Sequence, residues 1–219
     1  ALERDLAAVR TTLQDWGFGR GDLLALALPN GIEFVSLFLS STATAATVAP
    51  LYPAYTADEF RHYLTDMRAK AVILPRGSSE QTRSAALSGM LQIEVSYSPD
   101  SGTTLDLVRG EPGEPANASP GTGDTALFLH TSGTTSRPKG VPLTHRNLLT
   151  STQNIIKTYT LTSADRALCV MPLFHIHGLV ASTLSTFASG GTVILPPKFS
   201  ASSFWPTVSQ HGPTWYSAV

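Results

Sequence analysis

Residues 131–140 read Thr-Ser-Gly-Thr-Thr-Ser-Arg-Pro-Lys-Gly. Thr131, Ser132, Thr134, Thr135 and Ser136 surround Gly133 with hydroxyls, and Arg137 and Lys139 add two cations. The combination suits a triphosphate. Hydroxyls and open backbone N–H groups donate to phosphate oxygens, glycine lets the backbone come close, and cations offset the anion's charge. A polar surface loop is the plain alternative, and it is the commoner one for a generic Ser/Thr/Gly stretch. The spacing excludes the Gly-x-x-x-x-Gly-Lys-Ser/Thr nucleotide loop, because five residues separate Gly133 from Lys139 and Gly140 follows the lysine. A P-loop phosphotransferase is thereby disfavoured.

A second concentration of chemistry is Met171-Pro-Leu-Phe-His-Ile-His-Gly-Leu179, with His175 and His177 two positions apart. Two plain readings are open: a core histidine satisfied by backbone, or a metal site built from the pair. No cysteine or carboxylate accompanies the histidines, so the stretch does not suit zinc.

Alternating helices and strands must position these segments. A helix is expected over residues 1–14, an apolar strand over 23–28 closed by Pro29-Asn30-Gly31, and helices over 32–46 and 57–68. A buried strand follows at 71–75, a helix near 79–87 and a strand at 91–96. Residues 97–124 turn to Ser, Gly, Pro and acidic residues and read as a connector between two subdomains, 1–96 and 125–219. The second subdomain has a strand at 125–130, a helix at 144–158 capped by Thr144, strands at 166–171, 192–195 and 213–218, and helices at 179–188 and 201–210. Apolar strands alternating with helices define an α/β class with mostly parallel sheets.

Composition narrows the function. The 219 residues carry 15 Lys+Arg against 16 Asp+Glu, a net charge of −1, so no overall basic field attracts nucleic acid or an anionic membrane. No apolar run approaches the roughly 20 residues of a membrane span. Cys169 is the single cysteine, which rules out a disulfide framework within the chain and fits a reducing compartment. A cytoplasmic location is the expectation, and a peroxisomal one stays open. The chain opens inside a helix and ends on the apolar run 214–219, so a piece of a longer protein is expected.

The decapeptide 131–140 resembles the phosphate-binding signature of the adenylate-forming superfamily, the AMP-binding acyl-CoA synthetases and their relatives. It departs from the common Thr-Ser-Gly-Thr-Thr-Gly-x-Pro-Lys-Gly at one position, Ser136. Residues 172–175 resemble the family's Pro-x-x-His motif, and the succession of elements is similar along essentially the whole chain. Within the superfamily, residues 127–144, Phe204-Trp205 and 214–219 resemble the plant and fungal oxalate–CoA ligase group.

This resemblance implies two mostly parallel sheets with flanking helices, as in an incomplete N-terminal domain of an adenylate-forming enzyme. It implies ATP, Mg2+ and coenzyme A as cofactor or co-substrates and a small carboxylate as the acid, with oxalate the first expectation. A 4-coumarate or fatty-acid ligase and a non-catalytic truncated product are the alternatives. Thr131, Ser132, Gly133, Thr134, Thr135 and Lys139 take the phosphate-binding roles by resemblance. His175 takes the catalytic place beside the carboxylate, with His177 as a further substrate donor. The family's Tyr-Gly-x-Thr-Glu segment, ribose-binding Asp and C-terminal-domain Lys have no counterpart in these residues. The expected partner is therefore the remaining C-terminal part of the same enzyme, and the isolated 219 residues are expected to be inactive.

Overall fold

The structure, a computed structural model, describes residues 2–78, 89–131 and 139–219. The chain forms two compact units, Ala1–Leu28 with Ile32–His145, and Pro29–Gly31 with Arg146–Val219.

The first unit is a mixed sheet with helices against it. Its elements are α1 (Leu2–Asp15), β1 (Leu23–Leu26), α2 (Ile32–Ala43), β2 (Thr47–Pro50), α3 (Ala57–Asp66), β3 (Ala71–Pro75), β4 (Leu91–Ser98), β5 (Gly102–Arg109), β6 (Thr125–Thr131) and β7 (Lys139–Thr144). The seven strands lie in the order β5-β4-β3-β1-β2-β6-β7. Every pair is parallel except the two outermost, β4/β5 and β6/β7. Position in the sheet explains the sequence of each strand. β1 and β3 sit centrally, covered on both faces, so Leu24, Leu26, Ile73 and Leu74 are all fully buried and the strands read as unbroken apolar runs. β7 lies at an edge, the place where Pro142, with no N–H to give, can be accommodated.

Local chemistry sets the helices. α1 buries Val9 and Leu13 on one stripe and packs against α2. Small residues on α2 permit the approach, and Ser36 Oγ donates to Asp5 Oδ2 (2.5 Å) while Ser40 Oγ donates to the Leu6 carbonyl (3.0 Å). α3 opens with a capping box, in which Thr56 accepts from the Glu59 N–H and the Glu59 carboxylate accepts from the Thr56 N–H. α2 ends earlier than its small-residue pattern predicts, because Ala45 turns the chain with φ +65. The helix expected near 79–87 lies outside the described residues.

The segment 97–124 behaves differently from a plain connector. Residues 102–109 form β5, an edge strand half in solvent, and that exposure accounts for its mixed polar composition. Residues 113–116 then run across the end of α1, where the Gly113 N–H donates to Trp16 O (3.2 Å) and the Ala116 N–H to Gln14 O (2.8 Å). At Gly17 (φ +77) a Cβ would stand 2.5 Å from the Glu114 carbonyl, so only glycine permits this crossing. Asp124 anchors the end of the segment by pairing with Arg20 and accepting from the Gly121 N–H at 2.6 Å. β6 joins the first unit's sheet beside β2, with Val48 opposite Leu127, and the compact units part at residue 145.

The second unit holds α4 (His145–Tyr159), most of which belongs to it, then β8 (Arg166–Leu168), a π-helix (His177–Leu184) running into α5 (Ser185–Ala188), β9 (Thr192–Ile194), α6 (Ala201–His211) and β10 (Trp215–Tyr216). Its three-stranded sheet is parallel throughout, in the order β10-β8-β9. The helix expected at 179–188 begins earlier and in wider winding. Thr183 Oγ1 donates to the Gly178 carbonyl (2.9 Å), and the Ser185 N–H reaches Val180 O five residues back.

Candidate functional site

Thr131 and Lys139 close the β6–β7 hairpin as its final pair, with His130 opposite Gly140 one step inward. Both Thr131 and Lys139 are exposed, and Thr131 Oγ1 lies 3.5 Å from the Lys139 carbonyl. The antiparallel register thus brings the two ends of the hydroxyl-and-cation segment together. Ser132, Gly133, Thr134, Thr135 and the neighbouring Ser136 and Arg137 lie outside the described residues. Gly140 has a geometric reason to be glycine, because a Cβ there would stand 2.3 Å from the edge of the Phe128 ring.

The stem of the hairpin is held by side chains that sequence reasoning did not single out. His130 Nε2 pairs with Asp66 Oδ2 of α3 at 3.1 Å. Its ring meets Tyr63 (4.8 Å) and Phe128 (5.3 Å) edge to face, and Tyr63 stacks on Tyr55 (4.9 Å). The imidazole side chain is only 9% exposed. Burial, then the Tyr63 hydrogen bond, pushes the Tyr55 hydroxyl well above its ordinary range, so it stays neutral. Nothing in the sequence pairs Asp66 with His130, which lie 64 positions apart.

In the second unit, residues 171–178 form a tight turn into the π-helix. The His175 N–H donates to Pro172 O (3.2 Å), and the Leu179 N–H donates back to His175 O (3.0 Å). Gly178 presses on the same turn, since a Cβ there would lie 2.3 Å from the Pro172 oxygen and 2.6 Å from the Met171 oxygen. Below it, buried Cys169 points its Sγ toward the Met171 and Gly178 carbonyls (3.4 and 3.6 Å). Burial pushes this thiol up, so it is a packed thiol rather than a nucleophile. His175 is exposed, its ring tilted against Phe174 at 4.7 Å. His177 is half-buried, with Nε2 2.7 Å from Ser217 Oγ, which leaves Nδ1 as its remaining polar atom. Asn30 contacts this turn through both ends of its side-chain amide.

The predicted residues therefore fall into two described sets, Thr131 with Lys139 and His175 with His177, one in each compact unit. The first can present hydroxyl, backbone and ammonium donors to an anion, and the second offers imidazole nitrogens. Among the described residues, no group of three or more His, Cys, Asp or Glu side chains is arranged to hold a metal ion. No described helix is long and apolar enough to cross a membrane.

Comparison with known proteins adds a family. The model of the "AMP-binding enzyme" family matches residues 1–219. The protein named "Probable CoA ligase CCL9" of Humulus lupulus is 43% identical over 217 residues, covering 93% of this chain and 40% of that protein. The oxalate–CoA ligase of Arabidopsis thaliana is 41% identical over 218 residues, covering 97% of this chain and 42% of the relative. The chain thus spans about two fifths of the length of these relatives. Among solved structures, ATP-bound MatB from Rhodopseudomonas palustris superposes with a TM-score of 0.81 at 26% identity, over 95% of this chain and 42% of that one.

Proposed function

The chain belongs to the AMP-binding enzyme family, and from that premise we propose that it is the front part of an acid–thiol ligase that uses ATP and coenzyme A to activate a small carboxylate, oxalate foremost. The observation that carries the reading is the Thr131–Lys139 pair. It joins the two ends of the phosphate-type segment at the exposed end of the described antiparallel pairing.

In this reading the reaction has two halves. A carboxylate oxygen attacks the α-phosphorus of Mg2+-bound ATP, a C–O–P linkage forms, the α–β P–O bond breaks and pyrophosphate leaves. The sulfur of coenzyme A then attacks the acyl carbon, its proton passes to solvent, and AMP departs with the carboxylate's oxygen. No protein nucleophile takes part, so the side chains act by positioning and charge. Thr131, Ser132, Gly133, Thr134 and Thr135 donate to the β- and γ-phosphates, and Lys139 offsets their charge as it builds on the leaving pyrophosphate. His175 borders the carboxylate.

The choice of oxalate rests on the likeness to the Arabidopsis ligase and on the polar character of His177 with Ser217. A dianion of this size needs donors around it, whereas a fatty chain needs an apolar wall. ATP and coenzyme A are substrates here and Mg2+ enters as the counter-ion of ATP, while the rest of the enzyme's length supplies the remaining machinery.

The test is pyrophosphate release by the full-length protein with ATP, Mg2+ and, in turn, oxalate, acetate, a medium-chain fatty acid and 4-coumarate. Oxalate is expected to give the highest kcat/KM. Preference for the fatty or aromatic acid rejects oxalate, and no release with any acid favours the non-catalytic alternative. The isolated 219 residues are expected to support no ATP–pyrophosphate exchange.

A further inference from the structure

We propose that Asn30 is a positioning residue for His175, acting through the backbone of residues 171–173. Asn30 lies between β1 and α2 in the short segment Pro29–Gly31, which belongs to the same compact unit as His175. Its Nδ2 donates to the Met171 carbonyl (3.3 Å), and its Oδ1 accepts from the Leu173 N–H (2.8 Å). One side chain thereby makes the two-point contact that a neighbouring strand would make. The amide has a single workable orientation, because its NH2 can face only the carbonyl and its oxygen only the N–H.

The contact reaches His175 in two short steps. Leu173 is completely buried, so its N–H has no water to turn to if Asn30 is removed. Pro172, between the two anchored residues, gives its carbonyl to the His175 N–H at 3.2 Å. From the other side the π-helix holds His175 through Leu179 and presses Gly178 onto the Met171 and Pro172 carbonyls. Asn30 is thus the fixed point against which the π-helix pushes, and His175 stands on the backbone between them. Asparagine is specific to this role. Aspartate keeps the acceptor for Leu173 but sets a carboxylate oxygen against the Met171 carbonyl, and alanine removes both contacts.

The catalytic consequence rests on the acyl-ligase reading, and the structural one does not. The experiment measures amide hydrogen exchange at Leu173 and steady-state kinetics in the full-length protein, for wild type, Asn30→Ala and Asn30→Asp. Loss of two hydrogen bonds of ordinary net strength speeds Leu173 exchange about 10- to 100-fold in Asn30→Ala. Asn30→Asp is expected to fall between Asn30→Ala and wild type. Ala167 and Leu168 in β8 keep their wild-type exchange rates. The KM for the carboxylate rises about tenfold while the KM for ATP stays within about twofold, the signature of a displaced acid-side group. Three results overturn the proposal: unchanged Leu173 exchange in Asn30→Ala, an equal loss of protection in β8, or faster Leu173 exchange with an unchanged carboxylate KM. If wild type activates no carboxylate, the ligase reading fails, and the Leu173 and β8 exchange rates still decide whether Asn30 anchors the turn.

Discussion

Gly178→Ala is the substitution whose effect follows most directly from distances. The added Cβ would stand 2.3 Å from the Pro172 oxygen, 2.6 Å from the Met171 oxygen and 2.8 Å from the Pro172 carbonyl carbon. Ordinary carbon–oxygen contacts are about 3.3 Å or longer, so the π-helix and the turn must separate by about 1 Å. The obstructing atoms are backbone and cannot rotate away. Overpacking of this kind costs about 1–3 kcal/mol, while alanine regains about 1 kcal/mol of helix propensity over glycine at most. A net loss of about 1 kcal/mol lowers the melting temperature of a domain of roughly 150–250 residues by about 2–4 °C, and by less in the longer full-length protein. Because the carbonyl that must retreat accepts the His175 N–H, carboxylate kcat/KM should fall with stability. The assay is thermal unfolding of the full-length protein beside a Gly123→Ala control, whose Cβ would meet no atom within 4 Å. A Gly178→Ala melting temperature equal to that of the control would refute the packing argument.

Other expectations concern charge and pH. Lys139→Ala should lower kcat/KM for ATP about 100-fold with little change in melting temperature, as an exposed ammonium serving phosphate would; unchanged ATP kinetics contradict its role. His177→Phe should lower oxalate kcat/KM about tenfold and spare acetate, by removing a donor rather than blocking the site, and equal losses for both acids oppose the polar-pocket reading. Burial pushes the Asp5 carboxyl up, but donors Ser36 Oγ (2.5 Å), Thr103 N–H (2.5 Å) and Thr103 Oγ1 (2.8 Å) outweigh it and leave it below the ordinary 3.8. The folded value being the lower one, Asp5's contribution to stability is complete above pH 3.8 and disappears as pH falls through the folded value. Urea midpoints at pH 7 and pH 3 should therefore differ less in Asp5→Asn than in wild type, and an equal difference contradicts this linkage.

What could be read in advance followed from how fully each segment is buried. β1 and β3 showed in the sequence because central strands are apolar on both faces, and β6, next to the edge, showed through its short apolar run Ala126 to Leu129. β5 and β7 did not, since edge strands carry polar residues, and Pro142 argues against a strand until its edge position is known. β2 was hidden by its brevity, four residues ending on Pro50. The π-winding from His177 depends on the Thr183 hydroxyl reaching the Gly178 carbonyl, a contact with no periodic signature. For the candidate site, hydroxyl and cation types around a glycine marked Thr131 and Lys139, and the family resemblance marked His175 and His177. Asn30 and Asp66 escaped because their partners lie 141–143 and 64 positions away. Such side-chain contacts become visible only when the chain is folded.

Oxygen transfer tests the central claim, activation of a carboxylate at the α-phosphorus, most directly. The full-length protein is incubated with ATP, Mg2+, coenzyme A and oxalate labelled with 18O in every position, and the products are weighed by mass spectrometry. The account predicts one 18O atom in each AMP formed and none in pyrophosphate. Unlabelled AMP, or label in pyrophosphate or inorganic phosphate, would place the attack elsewhere and contradict it.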